Sequence, residues 1–89
     1  MTYKMAIIGL GIMGRRMLDN VLVHPEFEIS GLWDPSPLSL SKTREIMPQA
    51  PVEASAELAM RGADVVYLAC PPGPRKAYAL AAAAAAGDT

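Results

Sequence analysis

The chain has 89 residues, 52% of them hydrophobic and 19% charged, with a formal net charge of −1, a globular composition with room for one small domain. Acids and bases are interspersed, which excludes a nucleic-acid stripe and a polybasic membrane patch. One cysteine, Cys70, and one histidine, His24, exclude an intrachain disulfide and a Cys-based metal cluster.

The run KMAIIG, Lys4 to Gly9, is apolar without alternation, as in a parallel strand buried on both faces. From Met13 to Val23 the apolar residues Met13, Met17, Leu18, Val21 and Leu22 recur at helical spacing, with Arg15, Arg16, Asp19 and Asn20 on the other face. His24-Pro25 ends that helix. Phe27 to Trp33 reads as a second strand, closed by Asp34-Pro35. Ser36 is placed to cap a helix with Pro37 at its first position, ending before Pro48. Val52 falls in a short strand. Ser55 caps a short helix over Ala56 to Arg61, with Gly62 just past its end. Asp64 to Cys70 is another buried strand, Pro71 to Pro74 a rigid turn, and Arg75 to Ala86 a last helix stopped by Gly87. No apolar stretch reaches membrane-spanning length and no signal-peptide pattern opens the chain, so it reads as cytoplasmic.

This order of elements predicts an α/β fold: a Rossmann-like, doubly wound parallel sheet, incomplete, with about four strands and flanking helices. Right-handed crossovers place the strand ending at Cys70 beside the first strand, on the side away from the second. The gap between those two strand ends is the topological switch point, where ligands sit.

The glycines of IIGLGIMG, Ile7 to Gly14, are spaced G-x-G-x-x-G between the first strand and the first helix. Gly9 permits the tight turn. At Gly11 a Cβ would stand where a pyrophosphate approaches the backbone. Gly14 lets helix and strand pack closely. The helix starting near Ile12 aims free N–H groups and the positive end of its dipole at this loop. Asp34 arrives twenty residues after Gly14, at the end of the second strand, where a carboxylate can accept from both ribose hydroxyls of an adenosine. The same charge repels a 2′-phosphate, which favours NAD over NADP. A turn-forming Asx residue before Pro35 is the competing account of Asp34. The loop Cys70-Pro71-Pro72 should face the glycine loop across the cofactor, and a plain helix-breaking turn explains it equally well. Arg75 opens the last helix, a poor place for a cation on dipole grounds, and a bound anion would make sense of it.

Over nearly all its length the chain resembles the N-terminal part of the glucose–fructose oxidoreductase / inositol dehydrogenase / MocA (Gfo/Idh/MocA) family. The resemblance rests on IIGLGIMGRRM, HPEFEISGLWDPSP and ADVVYLACPPGPRKAYALAAAAAAG. The family's third motif reads A-T-P-P with a histidine two residues on. Here it is Ala69-Cys70-Pro71-Pro72, with Arg75 in place of that histidine, and Met17 stands where many members carry another. The resemblance implies that Gly9, Gly11, Ile12, Met13, Asp34 and the Cys70–Pro72 loop contact NAD(P). It also implies hydride transfer between the nicotinamide and a hydroxyl-bearing carbon, often on a sugar or cyclitol. The family's catalytic lysine lies in a Glu-Lys-Pro motif at the end of the strand that would follow Thr89, and an acid and a histidine come from a C-terminal α+β domain. On this reading residues 1–89 are the N-terminal part of an NAD(P)-binding Rossmann domain without its substrate domain. The chain would bind a dinucleotide, carry no catalytic residue and not turn over, and the small-molecule substrate would be met only in the complete enzyme.

Three rivals remain at this stage. One is the NADP-binding domain of a β-hydroxyacid dehydrogenase, whose start resembles GLGIMGRRM but whose second strand usually ends in a basic or neutral residue. Another is a non-catalytic NAD-sensing module. The last is an α/β domain with no ligand. Neither a nucleic acid nor a membrane is expected as a partner, and the sequence leaves oligomeric state open, a homo-oligomer included.

Overall fold

The computed structural model describes residues 2–69. Within them run β1 (Tyr3–Ile8), α1 (Ile12–Leu22), β2 (Phe27–Trp33), α2 (Pro37–Ile46), α3 (Ala56–Met60) and β3 (Val65–Leu68). The three strands form one parallel sheet in the order β2-β1-β3. The chain therefore steps outward from β1 to β2 and returns past β1 to β3, the reversal expected from the sequence. The proposed helix over 75–86, and with it Cys70, Pro71, Pro72 and Arg75, lies outside the described residues.

Continuous apolarity in β1 has its expected cause. Met5, Ala6, Ile7 and Ile8 are all buried, and they point alternately into two cores. Met5 and Ile7 join Leu10, Leu18, Val21 and Leu32 on the face covered by α1. Ala6 and Ile8 join Ala56, Ala59 and Met60 on the face covered by α3. Each large aliphatic side chain withdrawn from water contributes about 1.5–3 kcal/mol, so β1 anchors both layers.

The helix faces follow from where the sheet lies. α1 buries Gly14, Leu18 and Val21, a spacing of four and three residues. Met13 and Leu22, expected on this face, are 54% and 45% exposed. The close approach of the backbone at Gly14 turns the helix so that these two side chains flank the contact instead of filling it. α2 starts as expected: the Ser36 hydroxyl accepts the Ser39 amide, and Pro37 holds the first position. It buries only Thr43 fully, whose hydroxyl donates to the Ser39 carbonyl at 2.8 Å. α3 is capped by Ser55, which accepts from Leu58, and Gly62 follows its end at φ 76°.

β2 carries an irregularity that alternation along the strand does not reveal. Met5 pairs with Ile29 and Ala6 with Gly31, so Ser30 is skipped. This extra residue shifts the strand's phase. Ile29 and Leu32 thereby both reach the α1 core, while Trp33 packs on the α3 side. Gly31 faces α3 at close range: a Cβ there would overlap the Ala59 carbonyl oxygen and stand 2.8 Å from the Ala59 Cα. The short strand expected around Val52 reduces to one isolated parallel bridge to Leu32, flanked by Leu32 N–H to Pro51 O and Glu53 N–H to Leu32 O, both 3.0 Å.

Candidate functional site

At the C-terminal end of β1 the chain turns at Gly9, whose φ of 99° is a region that favours glycine. Gly9 N–H donates to the Trp33 carbonyl at 2.8 Å, and Leu10 N–H donates to Asp34 Oδ2 at 2.7 Å. Two successive amides thus bind the glycine loop to the end of β2. The Leu10 side chain is fully buried in the α1 core. A segment rich in glycine is held here from both its backbone and its one large side chain.

The three glycines of the motif answer to different constraints. Gly9 is required by its dihedral angle. Gly14 is required by contact: a Cβ there would overlap the Gly9 carbonyl oxygen and lie 3.5 Å from the Ala69 Cβ. Gly11 is required by neither. Its φ of −71° suits any residue, and a Cβ built on it meets no heavy atom within 4 Å. Among the described residues the space in front of Gly11 is open, a cradle that a side chain would begin to fill.

Gly11 is also the N-cap of α1. The first helical bond is Arg15 N–H to Gly11 O at 2.9 Å, so the amides of Ile12, Met13 and Gly14 have no acceptor within the helix. A serine hydroxyl serves the first turns of α2 and α3, at Ser36 and Ser55, and Glu57 adds a negative charge to the latter. α1 has neither a capping side chain nor an acid in its first turn. Its N-terminus keeps amide donors and a partial positive charge of roughly half a unit for an incoming anion. Ile12 and Met13, 70% and 54% exposed, flank this opening.

Asp34 stands beside the same loop. Oδ2 accepts from Leu10 and Oδ1 accepts from Ser36 N–H, each at 2.7 Å. The second bond is the Asx turn that the dipeptide with Pro35 suggests. An ionised carboxylate offers about four acceptor positions, so two bonds leave capacity for hydroxyl donors. The structure brings Gly9, Gly11, Ile12, Met13, Gly14 and Asp34 to one end of the sheet. Cys70, Pro71, Pro72 and Arg75 fall outside the described residues, although Ala69, next to Cys70, donates to the Ile8 carbonyl at 2.8 Å and so runs beside the β1 terminus.

Leu10 was not singled out by the motif, in which it is the variable residue between two glycines. Its burial and its bond to Asp34 make it the joint between loop and strand. Among the described residues no group of three or more His, Cys, Asp or Glu is placed to hold a metal ion, and no helix is long and apolar enough to cross a membrane.

Comparison with known proteins adds to this geometry. The family model described as "Oxidoreductase family, NAD-binding Rossmann fold" (GFO_IDH_MocA) matches residues 3–88. No curated protein matches in sequence. Among solved structures the chain is similar to scyllo-inositol dehydrogenase from Lactobacillus casei, solved with NAD(H) and scyllo-inositol, at 20% identity and TM-score 0.79, covering 96% of this chain and 26% of that one. An NAD-binding protein from Listeria innocua aligns at 22% identity and TM-score 0.81, covering 96% and 25%. UDP-N-acetylglucosamine 3-dehydrogenase from Acidithiobacillus ferrooxidans aligns at 17% identity and TM-score 0.79, covering 96% and 26%. At such identities the likeness establishes the fold. The chain spans about a quarter of the length of these structures.

Proposed function

The chain belongs to the Gfo/Idh/MocA oxidoreductase family through its NAD-binding Rossmann domain, and from that premise we propose that it holds NAD by the diphosphate at Gly11 and by the adenosine ribose at Asp34. The observation that carries the reading is Gly11. Among the described residues neither packing nor dihedral angles call for a glycine there, and a ligand in the open space would account for it. Amides of the first turn of α1 would hold the diphosphate without a basic side chain. Asp34 has acceptor capacity left for ribose hydroxyls. Cys70, Pro71, Pro72 and Arg75 are assigned as further cofactor contacts on this reading.

NAD is favoured over NADP because a 2′-phosphate would meet the Asp34 charge, and the Ser36 N–H beside it is already engaged by Asp34. When bound, the nicotinamide supplies hydride acceptance and donation. The chain's own residues would position it, and none of residues 1–89 is assigned an acid–base role in the reaction. In the complete enzyme the proposed substrate is a hydroxyl-bearing carbon of a sugar, cyclitol or related small molecule. Support comes from the similar structures, among them scyllo-inositol and UDP-N-acetylglucosamine dehydrogenases.

Isothermal titration of the chain with NAD and NADP, in wild type and Gly11→Val, tests the reading. The expected result is NAD binding in wild type, weaker NADP binding, and loss of both in a variant that keeps its circular dichroism. A folded Gly11→Val protein that binds NAD as wild type does would overturn it.

A further inference from the structure

We infer that Asp34 is a positioning residue for the diphosphate cradle as well as a ribose contact, acting through its bond to the Leu10 amide. The inference rests on the dinucleotide reading and assigns Asp34 a task that needs no ribose. Leu10 lies between the turn at Gly9 and the open cradle at Gly11. Its amide is held by Asp34 Oδ2 at 2.7 Å, one residue beyond the Gly9 amide held by the Trp33 carbonyl at 2.8 Å. The second bond is strand-like and backbone-only. The first depends on a side chain. The other carboxylate oxygen is fixed by Ser36 N–H at 2.7 Å, which sets the carboxylate at the entrance to α2. One side chain therefore spans the start of α2 and the glycine loop. Removing it frees the backbone one residue before Gly11, while the Leu10 side chain and the Gly9 bond keep the turn folded. A ligand reaching Gly11 then has to order that segment itself, a cost that a fixed loop avoids.

The distinguishing ligands are ADP and 2′,3′-dideoxyadenosine diphosphate, which has the same diphosphate and no ribose hydroxyls. If Asp34 serves only the hydroxyls, its replacement weakens ADP and leaves the dideoxy ligand unaffected. If it positions the loop, the dideoxy ligand weakens too. Asp34→Asn is the main variant. Its one carbonyl oxygen can keep the turn to Ser36, whereas its amide nitrogen cannot accept from Leu10. Asp34→Ala is the second. NMR titration of the full chain should show dideoxy-ADP affinity reduced roughly tenfold in Asp34→Asn, the scale of one charge-assisted bond, and ADP affinity reduced further. Hydrogen exchange separates this role from a general loss of stability: the Leu10 amide should be protected in wild type and exchange at least tenfold faster in the variant, with the Leu32 amide unchanged. Equal dideoxy-ADP affinity in wild type and variants overturns the inference while leaving the dinucleotide reading intact. An unprotected Leu10 amide in wild type overturns it without any variant. A wild-type chain that binds neither ligand overturns the dinucleotide reading, and the positioning role with it.

Discussion

Gly14 sits against Gly9 so closely that a Cβ on the first would overlap the carbonyl oxygen of the second. The obstacle is backbone on both sides, in a turn already committed to a φ of 99°, so it cannot be relieved by a side-chain rotation. Gly14→Ala should lower stability by about 3 kcal/mol, the upper part of the range for overpacking. Urea unfolding followed by circular dichroism would measure it, and a midpoint equal to wild type would contradict the close contact.

Gly11→Ser should behave in the opposite way. Serine is a better N-cap than glycine by a few tenths of a kcal/mol, and the site has space for its Cβ. The variant should melt at or slightly above the wild-type temperature and lose most of its NAD affinity. Thermal unfolding and titration on the same sample would show the two effects separating.

Gly31→Ala tests the sheet layer away from the ligand. The added methyl would meet the Ala59 backbone and push α3 off β2, at a cost of about 1–3 kcal/mol. NAD affinity of the folded fraction should stay within about twofold of wild type, a difference of roughly 0.4 kcal/mol. A large loss of affinity in protein that is demonstrably folded would couple this layer to the site.

Ser30 offers a stabilising change. Its hydroxyl is buried and, among the described residues, has no hydrogen-bond partner. An unsatisfied buried polar group costs about 1–3 kcal/mol, so Ser30→Ala should raise the unfolding free energy by about 1 kcal/mol, read as a higher urea midpoint, with NAD affinity unchanged. A fall in stability would mean that the hydroxyl is satisfied in solution.

Much of this architecture is legible from local chemistry. The capping serines Ser36 and Ser55, Pro37 at a helix start and Gly62 past a helix end each act within a few residues, and each holds in the structure. Gly9 and Gly14 are readable because turn and helix contact lie within the same short segment. What escaped depends on partners distant in sequence. Gly31 makes sense only against Ala59, and the skip at Ser30 only against the Met5–Ala6 register. A serine followed by glycine in a strand resembles ordinary outward-facing residues until the pairing is known. The exposure of Met13 and Leu22 escaped for a related reason: periodicity identifies an apolar arc, while the Gly14 contact decides which part of it meets the sheet. Leu10 was hidden by its place as a variable residue, since neither its burial nor its bond to Asp34 has a signature in the motif.

The opening at α1 is built from main-chain amides, and that shapes how the protein tolerates change. Every amino acid except proline supplies the same N–H, so Ile12 and Met13 are open to wide substitution as far as the proposed diphosphate contact is concerned. Variants that lose NAD binding should cluster instead where a side chain is gained. A library randomised across the loop would lose NAD affinity through added atoms at Gly11 far more often than through any group removed beside it.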